Sequence, residues 1–134
     1  MAIETINPDG LVEPEGYAHV SVATGSRTVY VAGQVGQDAE GNVVGPDLAD
    51  QTAQALKNVS TALSAAGATF DDVAKMTIYV ADWTPDKMEP LLEGFGRVAG
   101  EIGVTGLRPT TLVGVAALAA PDLLVEFDVT AVVD

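Results

Sequence analysis

Two carboxylates near the end of the chain are the first candidates for chemistry. Between Leu123 and Val133, the residues Leu123, Val125, Phe127, Val129, Ala131 and Val133 alternate with Leu124, Glu126, Asp128 and Thr130. Period-two alternation belongs to a strand, with the first set on one face and both carboxylates on the other. Glu126 and Asp128 then lie about 6–7 Å apart by strand rise. That separation would suit a glycosidase-type carboxyl pair. The competing reading is solvated or interface-paired charge. Glu126 is the stronger single candidate because it lies nearer mid-strand, where it could act as an acid or base or position a water.

Other chemistries find little support. The one histidine, His19, lies at the start of a predicted strand with no nucleophile and base assembled around it, so it reads as a surface or interface residue. There is no GxGxxG following a strand, no P-loop, no HExxH and no GxSxG. Metal binding would rest mainly on carboxylates, and no EF-hand spacing occurs. The absence of cysteine excludes disulfides, thiolate metal sites and cysteine nucleophiles, and fits a cytoplasmic protein. Asn58-Val59-Ser60 matches a glycosylation sequon but falls inside a predicted helix.

The bulk properties narrow the class further. A chain of 134 residues with 48% apolar content can bury a core, and we expect one domain over residues 1–134. No apolar run is long enough to span a membrane, and the opening residues lack a basic and then apolar leader, so neither a membrane partner nor a signal peptide is expected. The net charge is −13, with Arg27, Lys57, Lys75, Lys87, Arg97 and Arg108 the only lysines and arginines. Such a surface repels phosphate backbones, so no nucleic-acid partner is expected. The acidic residues are spread along the chain, which suits solubility better than an interaction arm.

The elements that must position these residues follow from periodicity. Residues 1–16 read as an irregular lead-in rich in Pro, Gly and Glu. Tyr17 to Ala23 and Thr28 to Val35 alternate as strands around the turn Thr24-Gly25-Ser26-Arg27, predicting a hairpin. Asp47 to Ala66 is a helix whose Leu48, Thr52, Leu56, Val59, Leu63 and Ala66 form one stripe, with Asp47 placed as N-cap and Gly67 as C′. Ala74 to Val80 is a third strand. Thr84-Pro85 then starts a second helix, regular from about Met88 to Gly100 because of Pro90, with Leu91, Leu92, Phe95, Val98, Ala99 and Ile102 inward. Arg108 to Val115 and Leu123 to Val133 read as a closing strand pair around Ala119-Ala120-Pro121-Asp122.

The order β-β-α-β-α-β-β predicts an α+β fold, a single sheet with both helices on one face. The other face would carry Thr28, Tyr30, Ala32, Thr77, Tyr79, Thr110, Leu112, Leu124, Glu126 and Asp128. That mixture is too apolar for open water and too polar for a core. It suits a homo-oligomer interface enclosing a small-molecule cleft.

Several stretches together resemble the RidA/YjgF family, also known as endoribonuclease L-PSP. They are Ile6-Asn7-Pro8, Gly16-Tyr17, Val29-Tyr30-Val31-Ala32-Gly33-Gln34, Gln51-Thr52, Ala55-Leu56-Lys57-Asn58-Val59, Ala65-Ala66-Gly67-Ala68, Asp72-Val73-Ala74-Lys75 and Leu118 through Val125-Glu126. The resemblance implies a chorismate mutase-like homotrimer with intersubunit clefts. It also implies hydrolysis of reactive enamines and imines, such as 2-aminoacrylate and 2-iminobutanoate, to 2-keto acids and ammonia, without a cofactor, and here of a small enamine, imine or related carbonyl compound. A non-catalytic trimer that binds a small metabolite is the alternative. Carried over by position, the water-positioning or proton-relaying glutamate is Glu126. The cleft lining is Tyr17, Ala32, Gly33, Thr110, Arg108, Leu112 and Glu89.

One departure matters most. The family holds the substrate carboxylate with an arginine in a Pro-Ala-Arg-Ser/Thr stretch, suited by its planar fork. This chain has Arg108-Pro109-Thr110-Thr111, which puts Thr110 at the arginine's place. Ala32 replaces a usual serine, and Glu89 stands where an asparagine is expected. Such departures look like the arginine-lacking branches of the family. Arg108, two residues earlier on the same strand face, would be about 6–7 Å away and is a candidate substitute.

Overall fold

The computed structural model of the chain describes residues 3–134, so the first two residues of the predicted lead-in lie outside the described residues. In chain order its main elements are β1 (Ile3–Ile6), β2 (Val20–Ala23), β3 (Arg27–Val35), α1 (Leu48–Ala65), β4 (Val73–Ala81), α2 (Met88–Ala99), β5 (Thr110–Val115) and β6 (Val125–Val133). The predicted order is present, with one further strand ahead of it. A four-stranded sheet runs β3-β6-β4-β5, and β1 and β2 form a separate two-stranded ribbon. Both helices lie over one face of the four-stranded sheet, which gives the mixed α+β architecture read from the sequence. Among the described residues, no helix is long and apolar enough to cross a membrane.

The alternation in β6 decides where the core sits. Val125, Phe127, Val129, Ala131 and Val133 are buried, and the residues between them are half-buried. On the buried side α1 presents Leu56, Val59 and Leu63, each fully inaccessible. The helix ends as its sequence indicates. Gly67, at φ +75°, occupies the left-handed C′ position that favours glycine. The Gly67 and Ala68 amides donate back to the Ser64 and Leu63 carbonyls in a Schellman arrangement. Pro85 to Lys87 form a single tight turn before α2. Pro90 therefore falls in the first turn of α2, where its missing N–H costs no intrahelical bond.

Two predicted pairings are corrected. β2 does not form a hairpin with β3; it pairs antiparallel with β1, and β3 pairs antiparallel with β6. The apolar side of β3 needs buried neighbours, and β6 supplies them: Val29 lies opposite Ala131, and Val31 opposite Val129. β2, with Val20 and Val22 exposed, has no such face to bury. Likewise β5 does not pair with β6. It follows α2 and joins β4 in parallel, the geometry of a β-α-β crossover, while β6 inserts between β3 and β4.

Gln51 ties the connections to this core. It is fully buried on α1, donates to the Gly45 and Asp122 carbonyls at 2.8 and 2.9 Å, and accepts from the Leu124 amide at 2.9 Å. Asn58, the sequon residue, donates to the Val35 and Gln37 carbonyls from mid-helix. Both amides satisfy backbone groups that burial would otherwise strand.

Candidate functional site

All the predicted site residues but Glu89 fall into two groups on opposite faces of the sheet. The first lines a cavity of about 690 Å³ between α2 and the β4–β5 side of the sheet. Met76 and Ile78 of β4 and Thr110 and Leu112 of β5 form its sheet wall, and Met88, Leu91, Leu92 and Phe95 form its helix wall. Tyr17 and Arg108 complete one end.

Thr110 and Leu112 are thus not on the face of Glu126, as the strand phase suggested. Parallel register places Thr110 beside Met76 and Leu112 beside Ile78, and laterally paired residues share a face. Thr-Thr-Leu-Val-Gly-Val has an apolar residue in either phase, so the segment alone cannot choose which side turns inward. Thr111 and Val113, beside Thr77 and Tyr79, take the places on the open face.

Backbone bonding brings Tyr17 to the cavity. Ala18 forms an isolated bridge with Pro109, and its amide donates to the Arg108 carbonyl at 3.1 Å. The His19 amide donates to the Asn7 side chain, and the His19 ring nitrogen donates to the Val12 carbonyl at 2.7 Å. His19 also meets the Tyr17 ring edge-on, with centroids 5.1 Å apart. Its role in the fold is to brace this loop.

Arg108 reaches the cavity wall, but its guanidinium is engaged. Nε donates to the Val73 carbonyl at 2.8 Å, Nη2 to Asp71 at 2.9 Å and Nη1 to Leu107 at 3.0 Å. Three of its five N–H donors are therefore engaged, and the two on Val73 and Asp71 hold the preceding loop to the start of β4. The Thr110 hydroxyl donates to the Arg108 carbonyl at 2.9 Å.

The second group is Glu126, Ala32 and Gly33 on the open face. Between Val31 and Gln34, β3 bulges, so that Ala32 and Gly33 together oppose Asp128. Gly33 lies so close to Glu126 that a Cβ there would collide with the carboxylate. Tyr79 is in register beside Glu126. The Glu126 carboxylate is half-buried and makes no hydrogen bond or ion pair among the described residues. Tyr30, on the same face, is 80% exposed. Glu89 belongs to neither group: it is exposed on the first turn of α2, outside the cavity lining.

Sequence reasoning missed two features. It sent Leu92 into the core, whereas Leu92 is 60% exposed on the cavity wall. It also left Tyr79 unassigned, although the alternation of β4 already put it on the open face; only the register with β6 sets it beside Glu126. Among the described residues, no group of three or more histidine or carboxylate side chains is placed to hold a metal ion.

Known proteins share this sequence pattern and fold. The model of the family described as Endoribonuclease L-PSP matches residues 10–133. A human protein named 2-iminobutanoate/2-iminopropanoate deaminase is 37% identical over 81 residues, covering 60% of this chain and 56% of that protein. A RutC family protein of Pyrococcus abyssi is 35% identical over 83 residues, covering 61% of this chain and 65% of its own length. The chain thus matches little more than half the length of the human relative. Among solved structures, YyfB of Yersinia pestis, described as a Rid family protein of unknown function, superposes with a TM-score of 0.88 at 33% identity, covering 99% of this chain and 100% of that one. TdcF of E. coli, solved with bound serine, gives a TM-score of 0.70 at 28% identity, covering 100% of this chain and 99% of that one. With the family model matched along nearly its whole length and the same fold found in Rid proteins, the chain belongs to the endoribonuclease L-PSP family, known equally as RidA/YjgF.

Proposed function

We propose that the protein adds water to a small imine, enamine or related carbonyl compound in a cleft between subunits of a homotrimer. The observation that carries this reading is the unpartnered Glu126 carboxylate, seated against Gly33 on a half-buried sheet face. The cavity with Tyr17, Thr110 and Leu112 lies on the other side of the same sheet. One protomer therefore does not unite a binding cavity with this acid/base group, but a neighbour seated on the open face would. The exposed Tyr30 and the mixed polarity of that face fit such a contact.

In the proposed step, the Glu126 carboxylate takes a proton from water as the water oxygen bonds to the imine carbon. That proton is then passed to nitrogen to give a carbinolamine; the carboxylate next takes the carbinolamine hydroxyl proton and delivers it to nitrogen, the C–N bond breaks as the C=O bond forms, and ammonia leaves a carbonyl product. The name carried by the human relative, an imine deaminase, supports this reaction class. A net charge of −13 fits RNA cleavage poorly, and an RNA-degradation assay is expected to be flat.

The test is ammonia release from imines generated in situ by an amino-acid oxidase and by an amine oxidase. Hydrolysis should exceed that in buffer for at least one of them, and Glu126→Gln should lower the rate by about 10²–10⁴-fold. Hydrolysis no faster than buffer across the panel would leave a metabolite-binding trimer as the better description.

A further inference from the structure

We propose that the cavity beneath α2 takes a neutral, largely apolar carbonyl or imine compound rather than a 2-imino acid. The inference rests on reading this cavity as the ligand-holding half of the site. A volume of about 690 Å³ falls in the range of pockets that enclose drug-sized ligands. Its walls are mainly Met76, Ile78, Leu91, Leu92, Phe95 and Leu112, which reward apolar surface and offer a carboxylate nothing.

The polar groups point the same way. Arg108 is the one cation in the lining, and three of its N–H donors are held by the Val73, Asp71 and Leu107 carbonyls. Turning its fork toward a ligand would release the loop from β4 and strand those carbonyls. Thr110 adds no charge, and its hydroxyl proton already goes to the Arg108 carbonyl, which leaves its oxygen as an acceptor. Glu15 also lies in the lining, and the chain as a whole carries −13, so an anion approaches against the field. A neutral C=O needs only one hydrogen bond, which the Tyr17 hydroxyl can donate, and the N–H of a C=N–H can in turn donate to the Thr110 oxygen.

The test compares benzylacetone with benzylpyruvate, which share the phenylethyl ketone portion and differ in the carboxylate. Each is titrated into full-length protein labelled at the methionine methyl groups. Benzylacetone should shift the Met76 and Met88 signals, both in the cavity wall, and bind about tenfold or more tightly than benzylpyruvate. Thr110→Arg should reverse that order. Equal affinity, tighter binding of benzylpyruvate, or no shift of Met76 and Met88 with benzylacetone would overturn the proposal. Because the wild-type affinity ratio is read without turnover, it is decided separately from the hydrolysis assay: the ratio can hold when hydrolysis fails, and fail when hydrolysis is found.

Discussion

The two helices lie on the same sheet face and close it to different degrees. α1 buries Leu56, Val59 and Leu63 completely and threads Gln51 into the surrounding backbone. α2 buries Leu91 and Val98 but leaves Leu92 60% and Met88 40% exposed over a cavity. The reason is visible where the helices meet. A Cβ on Gly94 would collide with the Ala49 carbonyl and come within 2.7 Å of Thr52 Cβ, so α2 is pressed against α1. Drawn to its neighbour, it stands away from β5. Packing density has been given to one half of the face and open volume to the other. The first half sustains the fold, and the second is the half we propose to hold a ligand.

Substitutions can break that contrast, beginning with the largest effect. Leu56→Ala, in the closed half, should lower unfolding free energy by about 2–5 kcal/mol in denaturant titration. Gly94→Ala should cost about 1–3 kcal/mol, because the added methyl has no space between the helices. Leu92→Ala should change stability by no more than about 0.5 kcal/mol, as expected of an exposed side chain. It should nevertheless weaken benzylacetone binding roughly tenfold, since it removes part of the apolar wall. A large stability loss with unchanged affinity would mean that α2 closes the cavity in solution.

The smallest effect lies outside both halves, in the turn after β3. The Asn42 amide, with that of Glu40, donates to the Asp38 carboxylate and holds its pKa below the usual aspartate range. A carboxyl depressed in the folded state adds stability above its unfolded pKa of about 3.9 and loses it as pH falls through the lower folded value. Asp38→Ala should therefore give a slight drop in melting temperature at neutral pH, and the difference from wild type should vanish in strong acid.

Much of this was legible in the sequence where one side of an element is strongly apolar. β6 alternates without a fault, and α1 carries a clean stripe with Gly67 at its end, so both were placed nearly to the residue. Pairing was less legible, because period-two patterning gives a strand's faces but not its neighbours. β1 is only Ile-Glu-Thr-Ile, with one buried residue, and gave no signal of its own. β5 carries apolar residues in both phases, which is why Thr110 and Leu112 were assigned to the wrong face. Of the proposed site, the alternation of β6 already pointed to Glu126, and the family resemblance added Gly33 and Tyr17. Their division between two faces depends on strand register and could not be read from spacing. The tethering of Arg108 was equally hidden, since its carbonyl partners at Asp71 and Val73 are more than thirty residues away in the chain.

In the proposed trimer, Glu126 of one copy completes the cavity of another. Glu126→Gln removes the proposed acid/base group, and Leu92→Arg, at an exposed wall position, should block the cavity while leaving the core intact. Each variant alone should be inactive toward the best imine of the panel. Co-expressed in equal amounts, they should recover about a quarter of wild-type activity, the share of interfaces in a closed ring that pair an intact cavity with an intact carboxylate. Mixed oligomers no more active than either parent would contradict a shared site.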